Sequence, residues 1–186
     1  MASKKYIKNY DLIETEDSKG RIKKTAVYHG EYFSLNIEES QIKQFKWQFI
    51  LLFVVSLALH VSAGLVNNPG LNQLYTALPY TGSFFPLIFL AAGILRIPYK
   101  KRPYKGEEVD LSYHRVVNTS RLYLIIMGIG ILGILIYMIF VSNFQTLGRE
   151  VVYISLVLGA AFLVWIILQK ATKITIEMEE TPINSE

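Results

Sequence analysis

Residues 47–66 read WQFILLFVVSLALHVSAGLV, twenty positions without a single Lys, Arg, Asp or Glu. A helix rises 1.5 Å per residue, so a stretch of about this length crosses the roughly 30 Å hydrocarbon layer of a bilayer. Two further runs meet the same test. Residues 122–141, LYLIIMGIGILGILIYMIFV, follow directly on Arg121, and residues 151–168, VVYISLVLGAAFLVWIIL, are shorter but equally free of charge. No charge occurs between Val66 and Arg96 either, although Pro69, Pro79 and Pro86 interrupt that region. Proline removes a backbone donor and crowds the preceding turn, which places a second span at about 78–97, with Pro79 in its first turn and Pro86 as a kink. Thr81 and Ser83 are the nearby polar groups available to the carbonyls that Pro86 leaves unpaired. The expected fold class is therefore an all-α polytopic membrane protein of four transmembrane helices, with a small β element outside the bilayer.

Outward from these runs, the charges are segregated. Hydrophobic residues make up 52% and charged residues 18% of the 186-residue chain. Nine of the 19 Lys and Arg lie in residues 1–46, seven run from Arg96 to Arg121, and Lys170 and Lys173 follow the last span, which leaves only Arg149 for the third loop. Short flanking loops rich in Lys and Arg stay in the cytoplasm, so both termini are expected there. Phe45, Trp47, Tyr99 and Tyr123 fall at one predicted interface, and Tyr75, Tyr80, Phe144 and Tyr153 at the other, as amphipathic rings do. The first apolar run begins near Phe45, too late for a secretory signal, so the first span is expected to persist in the mature protein. Heavy use of Lys and Ile suits a bacterial plasma membrane.

The parts outside the spans divide as residues 1–36, a hairpin region; 37–170, the bundle with its connecting loop 98–121; and 171–186, the tail. Tyr10, Leu12 and Ile13 precede the turn-forming Asp17, Ser18, Lys19 and Gly20, and Ile22, Thr25, Val27 and Tyr28 come after it. Apolar and β-branched residues flanking such a turn read as a hairpin, with Tyr32, Phe33 and Leu35 as a third strand. Residues 173–178 alternate polar and apolar and supply a tail strand, so that one cytoplasmic sheet joins both termini. Asn36 and Glu39 have the spacing of a capping box leading into the first span. Glu107 and Glu108 suit a helix start that continues into the third.

Candidate functional residues are few. His60 is the one ionisable side chain well inside a span, and Ser56 shares its helical face; together they form a ligand site or, more simply, packing glue between helices. Gly128, Gly130 and Gly133 in the third span, and Gly159, Ala160 and Ala161 in the fourth, permit close backbone approach, so these two helices are expected to pack on each other or on a partner. Lys100, Lys101 and Arg102 adjoin the second span, where the anionic leaflet is their natural counter-charge. Arg115 and Arg121 share a helical face with His114 and Asn118, a group able to hold a phosphate. The uncharged stretch from Asn67 to Gln73 reads as an ordinary connecting loop.

Cysteine is absent, which excludes thiolate nucleophiles and Cys-based zinc sites. No phosphate loop, HExxH pair, GxSxG elbow or dinucleotide fingerprint occurs, and no catalytic residue, metal or cofactor is expected. The placement of the cations points to the bilayer, not to nucleic acid. With no carboxylate within the four runs, a carboxylate proton relay is disfavoured. The leading expectation is a non-enzymatic accessory or scaffold protein binding another membrane component, a membrane-protein partner or its own copies included. A small homo-oligomeric transporter or channel comes second and a lipid-acting membrane enzyme third.

Overall fold

A computed structural model describes residues 4–16, 22–143 and 145–179. The turn residues 17–20 and Phe144 lie outside the described residues. Four helices or helix pairs are long and apolar enough to cross a membrane: Glu39–Leu65, Leu74–Arg96, Gly106–Phe140 and Leu147–Thr172. Small sheets gather at one end of the bundle, the sheet end; the opposite, loop end carries the connections after Leu65 and Phe140.

Helix α1 (Glu39–Leu65) has its cap two residues later than the Asn36 that the sequence suggests. Glu38 is the N-cap and its N–H donates to Gln41 Oε1 at 3.2 Å. Asn36 is occupied elsewhere: its Nδ2 donates to Glu177 Oε1 at 3.2 Å and its N–H to Thr175 O at 3.2 Å. At the far end Pro69 forbids continuation, and Asn68 Oδ1 accepts the Gly70 N–H at 2.8 Å to close a tight turn.

The second span is two helices, α2 (Leu74–Gly82) and α3 (Phe84–Arg96), which corrects the expected 78–97. Pro79 sits inside α2, not in its first turn, and the break falls at Ser83, upstream of Pro86. The physical reason is the missing N–H of Pro86, which leaves the Gly82 carbonyl without its helical donor. Local polar groups stitch the joint: Ser83 Oγ donates to Tyr80 O at 2.6 Å and Thr81 Oγ1 donates to Ala77 O.

The connection to the third long helix holds β4 (Tyr104–Lys105) and a helical start α4 (Gly106–Val109), a π-helical turn at Asp110–His114, and then α5 (Arg115–Phe140). Glu108 Oε2 accepts the Lys105 N–H at 3.1 Å, so the acidic pair does cap this start. Helix α6 (Leu147–Thr172) buries Glu150, Tyr153, Val157, Ala160, Val164, Ile167 and Ala171 along one seam, at the alternating three- and four-residue spacing of a core-facing helix. Glu150 thus lies within this helix, whereas the sequence reading began the span at Val151 and counted no carboxylate inside.

Helix α6 packs against α1 and α5, and α5 also packs against α2 and α3. The small residues distribute differently from expectation. A Cβ on Gly133 would lie 2.9 Å from Tyr75 O, and one on Gly130 3.4 Å from Pro79 Cβ, so these glycines admit α2, not α6. Gly159 faces Leu59 of α1, and Ala160 O accepts Ser56 Oγ at 3.0 Å. Gly128 meets nothing within 4 Å.

Strands β1 (Tyr10–Glu16) and β2 (Ile22–Tyr28) form the antiparallel hairpin, in register from Tyr10 opposite Tyr28 to Glu16 opposite Ile22. Strand β3 (Tyr32–Leu35) does not extend it. It is the centre of a second sheet, order β4–β3–β5, with β5 (Ile176–Glu179) supplied by the tail. The sheet joining the termini therefore runs through β3, and its tail strand starts later than residue 173 because α6 continues to Thr172 and Ile174 is buried in the core.

Candidate functional site

His60 is fully buried. Its ring stacks on Tyr80 at 4.7 Å and meets Phe84 edge-on at 4.6 Å, with Tyr123 at 5.8 Å. Hydrogen-bond accounting assigns its tautomer. Ser83 has one hydroxyl hydrogen, directed at Tyr80 O, so at 3.1 Å it accepts from His60 Nε2–H. Nδ1 is then the acceptor, and Tyr123 donates to it at 3.2 Å. Tyr80 in turn donates to His60 O at 2.8 Å. A neutral imidazole wired on both nitrogens ties α1 to α2, to the Ser83 joint and to α5. Ser56 lies on the same face but bonds Ala160 O, linking α1 to α6. His60 lines none of the three principal cavities. A catalytic imidazole needs a substrate within hydrogen-bond reach; this one is enclosed by aromatic rings and saturated.

Two buried charged groups escaped the sequence reading. Lys46, 4% exposed, donates to Leu95 O at 3.0 Å and Ile97 O at 2.6 Å, and sits 3.6 Å over the Tyr99 ring. It caps the C-terminus of α3, whose last carbonyls have no helical donors. Glu150, fully buried near the loop end, has no hydrogen-bond partner on either carboxylate oxygen among the described residues. Asn68 Nδ2 and Thr76 Oγ1, at the same end, are buried and unpartnered as well.

Three cavities lie at the sheet end among the described residues. The largest of the three, a cleft of about 910 Å³, opens between the hairpin and the end of α3. Arg96, Arg102 and Lys105 supply its cations, while Ile7, Leu12, Pro98 and Leu111 supply apolar wall. Glu107 and Glu108 also line it, but Glu108 pairs with Arg102 and caps α4, and Glu107 is engaged in a contact of its own. Lys105 Nζ stands 5.0 Å from both the Tyr10 and Tyr28 rings. Burial holds the Tyr104 phenol above its ordinary pKa, so at neutral pH it is a hydroxyl, donating to Lys100 O.

The residues singled out in the sequence therefore part company. Arg102 lines the cleft, but Lys100 and Lys101 are exposed and do not. The suggested phosphate group holds in part: His114 and Arg121 line one cavity of about 380 Å³ beside the end of α6, where His114 also pairs with Asp110 at 3.1 Å, whereas Arg115 lies over the Phe89 ring at 5.8 Å. Asn118 is exposed and lines neither of these cavities. Arg96 and Lys105 were missed. Their signal was position, one in the last turn of α3 and one at the start of α4, on chain segments that only the tertiary fold brings together.

No protein-family model, curated protein or solved structure matches this chain.

Proposed function

We propose that this chain is an integral membrane protein of four spans with both termini in the cytoplasm of a bacterial plasma membrane. In this reading it is a non-enzymatic accessory or scaffold protein that binds another membrane component at its sheet end. Only 22–33% of each apolar helical window is buried within the chain, so the outer faces need an apolar medium. Among the described residues every Lys and Arg except Arg149 lies on a segment at the sheet end, the side that positive-inside retention keeps in the cytoplasm. The observation that carries the binding reading is the contrast between the two ends of the interior. The bundle centre is closed around a saturated His60, and the three principal cavities all open at the sheet end.

One observation favours a second reading, the small oligomeric transporter. Glu150, Asn68 and Thr76 present unpartnered polar atoms inside the bundle, and buried polar groups mark substrate pathways in such proteins. A single experiment separates the two. Reconstituted into proteoliposomes, the protein should pass protons, sodium and potassium no faster than protein-free vesicles, and native mass spectrometry from a mild detergent should retain a bound membrane component. Flux that His60→Ala or Glu150→Gln abolishes would overturn the accessory reading in favour of transport.

A further inference from the structure

The cleft at the sheet end has a chemistry of its own. Its hairpin wall is set by register: Tyr10, Leu12 and Glu14 share a face with Tyr28, Ala26 and Lys24, and Tyr10, Leu12 and Ala26 of that face line the cleft. Leu12 is 71% exposed and Ile7 57% exposed, an apolar edge left open beside the level where the spans end. The opposite wall carries three cations, Arg96, Arg102 and Lys105, against two carboxylates, Glu107 and Glu108. The C-terminus of α3 is already capped by Lys46, so Arg96 in its last turn is not needed there. Among the described residues Arg96 has no carboxylate within ion-pair distance, and Lys105 touches only aromatic faces. Arg102 is neutralised by Glu108, which leaves two available cations facing an apolar edge.

We propose that this cleft binds an anionic phospholipid, with Arg96 and Lys105 on the headgroup phosphate and Ile7, Leu12 and Leu111 against the glycerol and upper acyl chain. The inference rests on the accessory reading above and names the membrane component. A zwitterionic lipid carries its own compensating ammonium and gains less from two unpaired cations. A soluble phosphate gains nothing from the leucines. The cleft's volume, about 910 Å³, lies within the range of about 300–1,000 Å³ that small-ligand sites occupy.

The test is native mass spectrometry of the full chain in detergent, titrated with phosphatidylglycerol or with phosphatidylcholine of the same acyl chains. Phosphatidylglycerol should bind at least about tenfold more tightly. An interfacial cation contributes about fivefold, so Arg96→Gln with Lys105→Gln should weaken phosphatidylglycerol by about 25-fold and phosphatidylcholine by clearly less. Lys100→Gln with Lys101→Gln, two exposed cations outside the cleft, should change binding by less than about twofold. Leu12→Asp, at an exposed position where folding is not at stake, should weaken phosphatidylglycerol as well. Equal binding of the two lipids overturns the proposal, as does an equal loss in the Lys100 and Lys101 variant, which would mean diffuse surface attraction. Displacement of the lipid by equimolar glycerol phosphate overturns it too, in favour of a soluble-phosphate site. Any of these leaves the accessory reading standing with a different partner, whereas only flux in proteoliposomes removes that reading.

Discussion

Lys46 and Glu150 are both buried polar side chains, and they sit in opposite surroundings. The Lys46 ammonium meets two carbonyls and a ring face, which together replace the water it lost. The Glu150 carboxyl meets no donor among the described residues. A buried polar group left without a partner costs about 1–3 kcal/mol, so Glu150→Met should raise the apparent melting temperature in detergent, by on the order of 2–8 °C. A fall of that size would reveal a donor or bound cation on the carboxyl. His60→Ala has the reverse sign, because it strands the Tyr123 hydroxyl and removes the donor to Ser83. A stranded buried polar group costs about 1–3 kcal/mol, and adding Tyr123→Phe to His60→Ala should recover part of that loss. A double variant no more stable than the single would sever the proposed link. The sequence pointed to His60 and Ser56 because they are polar within an apolar run. It hid Lys46 and Glu150 because each adjoins a run whose boundary was drawn at the nearest charge. The seam spacing was there to be read, since Lys46 lies between Ile42 and Phe49 and Glu150 leads Tyr153 and Val157, all of them buried.

The helices themselves were legible, because twenty uncharged residues admit few alternatives. Their ends were legible in part: the capping and acidic residues before the first and third runs announced the early starts of α1 and of the helix that begins at Gly106, whereas α6 extends past its run at both ends on polar side chains that hydropathy ignores. The Ser83 break followed from Pro86 in kind but not in position, since the ring acts on the carbonyl four residues earlier. Strand β4 is two residues long and follows Pro103, too short for any period to announce it. Strand β3 was expected beside the hairpin; its actual neighbours are set by tertiary contact, with Phe33 opposite Tyr104 on one side and Met178 on the other. An isolated strand has no stability of its own, so removing residues 174–186 should expose β3. In hydrogen exchange, amides of residues 32–35 should lose protection while those of α5 near Met127 keep theirs. Unchanged protection in β3 would mean that β4 alone secures it.

For the molecule as a whole, the chain contains no cysteine, so single substitutions report topology without background. Lys100→Cys and Thr172→Cys should resist a membrane-impermeant maleimide in intact cells, while Asn72→Cys and Gln145→Cys should react. Labelling at position 100 or 172 would invert the proposed orientation. The architecture also bears on how the protein is made. Strand β3 precedes all four long helices in the chain, yet its edge partner β5 follows the last of them. During synthesis the β3 edge toward β5 therefore stays open to any passing strand or chaperone until β5 itself has been made. A chain interrupted before Ile176 would keep that edge exposed, where proteolytic surveillance can tell it from one in which the edge is covered.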